Sequence, residues 1–456
     1  MEDKKALEQN LGSEETEFKR EIGLFGGISI LGGIMIGGGI FYLGSYVLMR
    51  AGMSLGWALV CWAIGGLISL LGGLCYAELG AMMPKAGGSS VYLNIAYHPL
   101  IGFLSGFSGW LISLPGSISA GVLALTAIFG LSGTTEKIVA SVLIILFTLY
   151  NTFGIKGGSR FQSLTMIAKL IPIAIIMLGG LIFGKVSPNL SLAAPEGVAS
   201  VSQMITMIAF ATVATLWAYE GWTNLNLVAE EIKNPKKNLP LALIISIGGI
   251  ALIYILFNFA IYRVLDINEI TELINSGEYY LGTVASKRLF ASAGGVIVTV
   301  GMVISMIGSV NGMTIAGPRL PYAMAQEGHF FPAFAKLDEK YKVPTNALWC
   351  QCVLSLLLVW FRDLSQLTSL VVFATQCYNT LIILAVLVLR KKMPEMNRPY
   401  KVWGGAVTVI IAALINIACL VNTAVSDPVT ALLGLIVPAV GCVVYFIFDK
   451  QMKKQA

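Results

Sequence analysis

Residues 32–41 run Gly32-Gly33-Ile34-Met35-Ile36-Gly37-Gly38-Gly39-Ile40-Phe41, in the middle of the first long apolar stretch. Each glycine costs an α-helix roughly 1 kcal/mol relative to alanine, so three in succession favour a break in the helix. Backbone that unwinds at membrane depth is tolerated only where it lines a cavity or is buried in protein. Close packing against another helix is the alternative, but packing motifs space their glycines along one helix face. The stretch therefore predicts an interrupted membrane helix with a binding site at the break.

A second interruption is predicted in the apolar stretch 202–228, at Trp217-Ala218-Tyr219-Glu220-Gly221-Trp222. A carboxylate in the middle of a membrane span costs roughly 2.5–3.5 kcal/mol on insertion scales, so Glu220 should face a cavity or a partner. The two interrupted stretches each begin a set of five apolar stretches. Interrupted helices at corresponding positions in two halves of a chain are typical of the substrate site of a transporter.

The composition requires a membrane environment. The chain has 456 residues, of which 56% are hydrophobic and only 12% are charged. A soluble domain carries roughly 25% charged residues, so this chain could not cover a water-facing globule. Twelve apolar stretches are long enough to cross the roughly 30 Å of hydrocarbon in a bilayer. They cover residues 23–48, 54–79, 99–130, 137–155, 161–184, 202–228, 239–263, 289–324, 344–361, 364–390, 402–424 and 428–449.

These stretches lack the short alternating pattern of a membrane β-barrel, and helices are the other structure that satisfies backbone groups in lipid. We therefore predict an all-α membrane protein of twelve transmembrane helices, named spans 1–12 in chain order. Most of the 30 Lys and Arg residues lie on the same side as both termini. The positive-inside rule then predicts cytoplasmic termini in the plasma membrane. The rule also accounts for the net charge of +6, so no nucleic-acid partner is expected.

The residues that catalysis or metal binding would need are scattered. The seven cysteines lie in or beside apolar stretches without metal-ligand spacing, and the two histidines, His98 and His329, lie near predicted membrane boundaries. Without a catalytic cluster the chain is not expected to be an enzyme, and no cofactor or metal is expected.

Three acidic residues lie near the predicted cytoplasmic ends of spans. Glu78, at the end of span 2, is expected to form an ion pair with a nearby Lys or Arg. Glu230 and Glu231 precede a loop with three lysines, and a solvated charge cluster is the simplest interpretation of that pattern.

The two breaks predict complementary binding groups. The free N–H groups of Gly38 and Gly39 begin the outer half of span 1, where the helix dipole favours a carboxylate. The carbonyls of Met35, Trp217, Ala218 and Glu220 would accept hydrogen bonds from an ammonium group. Opposite charges on one small ligand match an α-amino acid zwitterion, although any small anion could use half of this site.

Several motifs together resemble the amino acid–polyamine–organocation superfamily, and within it the L-amino acid transporter (LAT) type of exchanger. The resemblance covers spans 1 to 12. Its motifs are Gly-Ile-Met-Ile-Gly-Gly-Gly-Ile-Phe (33–41), Tyr-Ala-Glu-Leu-Gly with Pro-Lys-Ala-Gly-Gly (76–88), Trp-Ala-Tyr-Glu-Gly-Trp (217–222), Glu-Glu-Ile-Lys-Asn-Pro-Lys-Lys-Asn-Leu-Pro (230–240), Gly-Ser-Val-Asn-Gly (308–312), Gly-Pro-Arg-Leu-Pro-Tyr-Ala-Met-Ala-Gln-Glu-Gly-His (317–329) and Arg-Pro-Tyr-Lys-Val (398–402).

The resemblance implies a five-plus-five inverted repeat, the fold of the leucine transporter, with spans 1 and 6 unwound. Residues 1–22 would be a cytoplasmic tail, 23–185 the first repeat, 202–390 the second repeat, and 402–449 two peripheral spans. A tyrosine matching Tyr254 in span 7 also occurs in LAT-like exchangers.

For the site, the resemblance implies carboxylate binding at Gly37, Gly38 and Gly39, with Ser309 lining the pocket and Trp217 closing over the substrate. The chain departs from the family at two positions. Family members often have serine in place of Gly38, which removes a hydroxyl donor and widens the pocket. They often have glycine in place of Glu220, which leaves the selectivity for the substrate side chain open.

Lys169 lies about a third of the way into span 5. Snorkelling to the surface would need about 12 Å of reach over eight residues of helix, so a buried role is expected. An ammonium group there could bond carbonyls freed at residues 32–36 and occupy the place of sodium in sodium-coupled relatives. This predicts sodium independence. Proton-coupled relatives also carry a lysine in span 5, so proton coupling stays open.

Together these features predict a sodium-independent exchanger of small or neutral L-amino acids that works by alternating access. A proton-coupled amino acid symporter is one alternative. A cationic amino acid or polyamine antiporter, favoured by Glu220, is the other. The related mammalian exchangers bind a heavy subunit through a cysteine after span 3, and the corresponding loop 131–136 has none, so no disulfide-linked heavy subunit is expected.

Overall fold

The computed structural model of the chain describes residues 2–361, 364–426 and 428–455. These residues form helices joined by loops, and their one isolated β-bridge pairs Ile22 with Ile232. The prediction of an all-α fold is confirmed.

Nineteen α-helices are present in the described part of the chain. In chain order they are α1 (Glu2–Gly12), α2 (Leu24–Met35), α3 (Gly39–Arg50), α4 (Leu55–Met82), α5 (Ser89–Ala96), α6 (Pro99–Ser108), α7 (Leu114–Ala127), α8 (Gly133–Thr152), α9 (Ile155–Phe183), α10 (Val201–Ala218), α11 (Pro235–Tyr262), α12 (Ile267–Asn275), α13 (Leu281–Phe290), α14 (Ser292–Ala316), α15 (Arg319–Gln326), α16 (Thr345–Phe361), α17 (Leu364–Lys392), α18 (Gly405–Ser426) and α19 (Pro428–Gln455). A π-helical turn, Gly109–Ser113, joins α6 to α7, and two 3-10 helices cover Trp222–Glu231 and Pro332–Ala335.

The chain is a multi-pass membrane protein. Within the described residues, seven helical segments are long and apolar enough to cross a bilayer, and α2 with α3 forms an eighth candidate. The seven are Leu55–Met82, Pro99–Ala127, Gly133–Thr152, Ile155–Phe183, Val201–Glu231, Pro235–Tyr262 and Ser292–Gln326, and Thr345–Phe361 and Gly405–Val421 are shorter apolar helices. The count of twelve spans and the inverted repeat remain predictions.

Span 1 is broken where the glycines predicted it. Helix α2 ends at Met35 and α3 begins at Gly39, and the two helices are bent by 52°. Ile36, between them, has φ −80° and ψ 84°, which is outside the helical region. Span 6 is interrupted in the same way. Helix α10 ends at Ala218, and Gly221 has φ 111°, a left-handed conformation that favours glycine, before the 3-10 helix begins.

The broken helix lies at the centre of the molecule. Helix α2 packs against α9, α11 and α14, and α3 packs against α10 and α13. Helix α4 lies along α11, and α9 lies along α14. Large apolar side chains such as Leu164, Ile182 and Val201 are exposed on the outside of the bundle, as expected for groups that face lipid. The packing therefore places both breaks inside the helical bundle, away from the lipid-facing surface.

Candidate functional site

The two breaks meet at one tyrosine. The hydroxyl oxygen of Tyr254, on α11, lies 3.1 Å from the carbonyl oxygen of Met35 and 3.1 Å from that of Ala218. Its single hydrogen can be donated to either oxygen. Gly221 also approaches the first break, because a methyl group placed on it would lie 2.5 Å from Ile34 Cγ2. Tyr254 is buried, and its hydroxyl joins the end of α2 to the end of α10.

The first break offers free N–H groups. The N–H of Gly37 donates to the Met35 carbonyl at 3.0 Å, which closes a tight turn. In the described part of the chain, the N–H groups of Gly38 and Gly39 donate to no protein group, and Gly38 caps α3 without a side-chain bond. The start of a helix carries a partial positive charge. Gly38 and Gly39 can therefore bind an anion such as a carboxylate, whereas the N–H of Gly37 is already used.

The carbonyls at the breaks differ in how many lone pairs remain. The Met35 oxygen accepts from Gly37 N–H and lies within reach of Tyr254, so both of its lone pairs have neighbours. The Trp217 oxygen accepts from the N–H of Glu220 at 3.3 Å. Among the described residues, Tyr254 is the one hydrogen-bond donor to the Ala218 oxygen. Of the predicted ammonium acceptors, Ala218 is thus better placed than Met35.

Ser309, on α14, lies against the first break. Its hydroxyl is 3.0 Å from the Gly33 carbonyl and 2.8 Å from that of Ile34, and its side chain is buried. A methyl group on Gly37 would be 3.6 Å from Ser309 Oγ. Ser309 therefore lies at the edge of the glycine stretch, with its hydrogen donated to α2 and its oxygen still able to accept a bond.

Lys169 is fully buried on α9, which confirms the expectation that it does not snorkel. Its ammonium nitrogen donates to the carbonyls of Gly33 at 2.8 Å and Ile36 at 2.7 Å on one side, and of Ser305 at 3.1 Å on the other. None of the ion pairs among the described residues includes Lys169. All three N–H donors are satisfied by backbone dipoles, so the lysine fixes the broken end of α2 to α14.

An aromatic cluster lies on the α3 side of the break and consists of Tyr42, Tyr46, Trp217, Tyr279 and Tyr280. Tyr42 lies beside the side chain of Trp217. The ring centroids of Tyr42 and Tyr280 are 5.8 Å apart, and Tyr46 stacks on Tyr279 at 5.1 Å. Trp217, at the end of α10, is thereby connected to α3 and to the segment between α12 and α13. That Trp217 covers a ligand at the breaks remains a prediction.

Glu220 lies in the turn after α10 and is partly buried. Tyr76 is a neighbouring group that interacts with this carboxyl group electrostatically. No ion pair among the described residues includes Glu220. The carboxyl group of Glu220 therefore lies at the second break without a basic side chain paired to it in the described part of the chain.

Residues 22–448 match the family model described as amino acid permease. The chain belongs to the amino acid permease family. It is 32% identical over 451 residues to the serine/threonine exchanger SteT of Bacillus subtilis, covering 96% of this chain and 99% of that protein. It is 30% identical to the human b(0,+)-type amino acid transporter 1, over 98% of this chain and 91% of the relative. It is also 30% identical to the human large neutral amino acids transporter small subunit 2, over 94% and 80% of the two chains. The resemblance to LAT-type transporters is confirmed, and these relatives are transporters, not enzymes.

Two of the ion pairs among the described residues join helices at the face of the permease that carries the N-terminal segment. Arg390 on α17 binds Glu78 on α4, with Nε 2.8 Å from Oε1, and the N–H of Val402 donates to the other carboxylate oxygen at 2.7 Å. This confirms the prediction that Glu78 forms an ion pair with a nearby Lys or Arg. Arg319, at the start of α15, binds Glu231 with Nε 2.8 Å from Oε1.

The second ion pair corrects the interpretation of Glu231 as part of a solvated cluster. Both Glu231 and Arg319 are buried, and the ring of Phe18 lies 5.9 Å from the Arg319 guanidinium carbon. The sequence signal that could have found this pair is a lone arginine inside the apolar motif 317–329, because a buried cation needs a partner. The pattern Glu230-Glu231 before the lysines suggested solvent instead.

Proposed function

We propose that this permease is a sodium-independent exchanger of small or neutral L-amino acids that works by alternating access. The observation that carries the proposal is the meeting of the two helix breaks at Tyr254. On one side of that contact are the free N–H groups of Gly38 and Gly39, and on the other is the Ala218 carbonyl. These groups suit the carboxylate and the ammonium of one amino acid.

Small or neutral substrates are supported by the neighbours of the glycine stretch. A methyl group on Gly38 would lie 2.5 Å from Met306 Cε, and Trp217 and Tyr42 lie on the α3 side of the break. The side of a ligand that faces these groups meets apolar and aromatic surface. The serine/threonine exchanger of Bacillus subtilis, similar over nearly the full length of both chains, is consistent with a small substrate.

Sodium independence is supported by Lys169. Its ammonium group bonds carbonyls of Gly33, Ile36 and Ser305. Oxygen ligands of this kind are what a bound cation would need. A sodium ion at the same oxygens would lie beside a positive charge with no intervening water, so the lysine and the ion exclude each other.

The proposed architecture is the twelve-span, five-plus-five inverted repeat. Its parts are a tail (1–22), the first repeat (23–185), the second repeat (202–390) and two peripheral spans (402–449). Both termini would be cytoplasmic in the cell membrane. The loop at 131–136 contains no cysteine, and we propose that the permease works without a disulfide-linked heavy subunit.

The test is exchange in proteoliposomes. Purified permease is reconstituted into vesicles loaded with unlabelled serine, and uptake of labelled serine is measured in sodium-free buffer. We expect uptake that depends on internal amino acid and is unchanged by sodium. Uptake into vesicles without internal amino acid, driven by an inward proton gradient, would show that the permease is a symporter and not an exchanger. An absolute sodium requirement would also refute the proposal.

A cationic amino acid or polyamine antiporter is the second candidate. The observation in its favour is the carboxylate of Glu220, which forms no ion pair among the described residues. Labelled arginine and putrescine in the same vesicles separate the two functions. If the permease takes cations, Glu220→Gln should abolish their exchange while leaving serine exchange in place.

A further inference from the structure

A buried chain of three amides crosses the bundle beside the first break. Asn151 Nδ2, on α8, donates to Asn311 Oδ1, on α14, at 2.9 Å. Asn311 Nδ2 donates to Gln162 Oε1, on α9, at 2.7 Å. All three side chains are buried. The second hydrogens of the two asparagines go to the carbonyls of Phe147 and Gly158. The amide chain therefore ties α8, α9 and α14 together with its donors satisfied.

Gln162 also reaches the broken helix. Its Nε2 donates to the carbonyl of Gly308 on α14 at 2.9 Å and, more weakly, to the carbonyl of Ser29 on α2 at 3.4 Å. Lys169 lies seven residues later on α9, about two helical turns away on the same face. Each of these two side chains contacts both α2 and α14. Helix α9 is thus bonded to α2 at two positions, through the charged side chain of Lys169 and through the neutral side chain of Gln162.

Two glycines make room for the Gln162 side chain. A methyl group on Gly33, in α2, would overlap Gln162 Nε2, and one on Gly312, in α14, would lie 3.2 Å from the same atom. Gly33 and Gly312 belong to two of the motifs that stand out in the sequence, and Asn311 lies beside the second glycine. The surroundings of Gln162 are therefore shaped for an amide at this position.

We propose that Gln162, anchored by Asn311, is a positioning residue that sets how readily α2 separates from α9 and α14. The bonds of Gln162 to α14 are short and its bond to α2 is long. When α2 moves away, the weak bond to Ser29 is the one bond of Gln162 that breaks, and the amide chain keeps α8, α9 and α14 together. The inference rests on the proposed alternating access, in which one face of the permease opens by such a movement.

The structure provides a place to observe this movement. A crevice of about 570 Å³ lies between the start of α2 and α9 and is lined by Gly23, Gly26, Ser159 and Ser163, among others. Ser163 follows Gln162 in the chain and is partly exposed. Separation of α2 from α9 would widen the crevice and expose a cysteine at position 163.

The experiment measures the labelling rate of Ser163→Cys by a membrane-impermeant maleimide, in a variant whose seven native cysteines are replaced. Gln162→Leu removes the bonds to α2, α14 and Asn311. We expect labelling to be about five-fold faster, the factor that one net hydrogen bond contributes. The half-saturation concentration for substrate on the opposite face should rise by a similar factor, because fewer molecules are open to that face.

Gln376→Leu is the matched control. Gln376 donates to Asn416 Oδ1 at 2.6 Å, an amide pair between α17 and α18 that does not contact α2. The same substitution there should leave the labelling rate unchanged. Asn311→Ala keeps the Gln162 side chain but removes its anchor, and faster labelling is expected again. An unchanged labelling rate in either folded variant at position 162 or 311 would overturn the proposal. The labelling needs no substrate, so a failure of amino acid exchange would be recognised separately.

Discussion

Lys169 brings a positive charge into the bundle and forms no ion pair with the residues that the structure describes. Three carbonyl oxygens, of Gly33, Ile36 and Ser305, take the place of water around the ammonium group. Burying an unpaired charge is costly unless hydrogen bonds compensate for the lost hydration. Two of the carbonyls belong to the broken end of α2, where the helical bonds are missing. The lysine and the break therefore stabilise each other.

Replacing Lys169 tests this dependence. Lys169→Ala leaves three buried carbonyls without a donor, and each bond to a charged group is worth about 1.5–3 kcal/mol. We expect the sodium-free exchange rate to fall by more than about ten-fold, while size-exclusion chromatography shows a folded monodisperse protein. Lys156→Ala is the control, because Lys156 is exposed at the start of the same helix. Normal exchange by Lys169→Ala would show that the lysine has no part in transport.

Gly38 is the residue at which a side chain should matter most for substrate affinity. Its N–H is free, and a methyl group there would lie 2.5 Å from Met306 Cε. Gly38→Val would place branched carbon at the anion site, and the loss of one charge-assisted bond costs about 2 kcal/mol. We expect the half-saturation concentration for serine to rise roughly thirty-fold. Gly249→Val is the control, because no atom lies within 4 Å of the position of a methyl group there. An unchanged half-saturation concentration for serine in Gly38→Val would show that the substrate carboxylate binds at another place.

The sequence predicted which residues lie at the breaks but not how their backbone groups pair. Lys169 and Glu78 could be predicted because a buried charge demands partners. That Gly37 N–H turns back to the Met35 carbonyl depends on backbone dihedrals, which a run of glycines leaves open. The same holds for the Ala218 carbonyl, which in the described part of the chain accepts a hydrogen bond from Tyr254 alone and so keeps a free lone pair.

At the scale of the helices, Tyr254 connects the ends of α2 and α10, which are far apart in the sequence. The hydroxyl reaches the ends of α2 and α10, whereas the ring packs against Trp62 and Tyr219. Removing the hydroxyl keeps the packing of the ring but takes away the hydrogen-bond donor that connects the two breaks. Tyr254→Phe should therefore lower the exchange rate about five-fold, the factor for one net hydrogen bond.

Tyr262→Phe is the matched control for Tyr254→Phe. Tyr262 is buried on the same helix, and among the described residues its hydroxyl has no hydrogen-bond partner. The exchange rates of both variants and of the parent are compared in the same vesicles. Equal rates for all three proteins would show that the tyrosine bridge is not needed for transport.

The end of α15 carries a carboxyl group that should make stability depend on pH. Burial raises the pKa of Glu327 to about 7, although a hydrogen bond from Asn94 on α5 acts in the other direction. In the unfolded chain the pKa is near its ordinary value of about 4.3. Between these values the unfolded chain is ionised and the folded chain still holds the proton. The free energy of unfolding is therefore expected to decrease as the pH rises from about 4 to about 7.

Thermal unfolding in detergent at pH 5 and pH 8 measures this dependence. Glu327→Gln removes the ionisable group and keeps an amide that can bond Asn94. Its melting temperature should differ less between the two pH values than that of the parent protein. An identical pH dependence in both proteins would assign the effect to other groups.

The long elements could be predicted and the short ones could not. The apolar stretches gave the positions of the long helices, since each must cover the thickness of the bilayer. The helices α5, α12 and α13 have 8, 9 and 10 residues, too short for such a signal. Helix α5 packs against α17, and α13 packs against α3 and α9. Those contacts bring together residues far apart in the chain.

For the molecule as a whole, long-range polar contacts hold the face that carries the N-terminal segment. The ion pair of Glu231 and Arg319 joins the segment after α10 to the start of α15, and both side chains are buried. The ion pair of Glu78 and Arg390 joins α4 to α17. Arg20 adds bonds to the carbonyls of Glu14, Ala229 and Ile232. Hydropathy predicts that these helices exist, but it contains no information about which charges meet between them.

The buried ion pair should therefore matter far more for stability than an exposed pair on the same face. Arg319→Met leaves the Glu231 carboxylate buried without its cation, a change that typically costs about 3–5 kcal/mol. The exposed pair of Lys236 and Glu14 provides the comparison, since its side chains are 37% and 39% exposed. Lys236→Met should change the free energy of unfolding by less than about 1 kcal/mol.

We expect denaturation in detergent to show a large loss of stability for Arg319→Met alone. Adding Glu231→Gln should restore part of it, because the second change removes the uncompensated charge. A double variant no more stable than Arg319→Met would show that the loss arises from packing around the arginine and not from the stranded carboxylate.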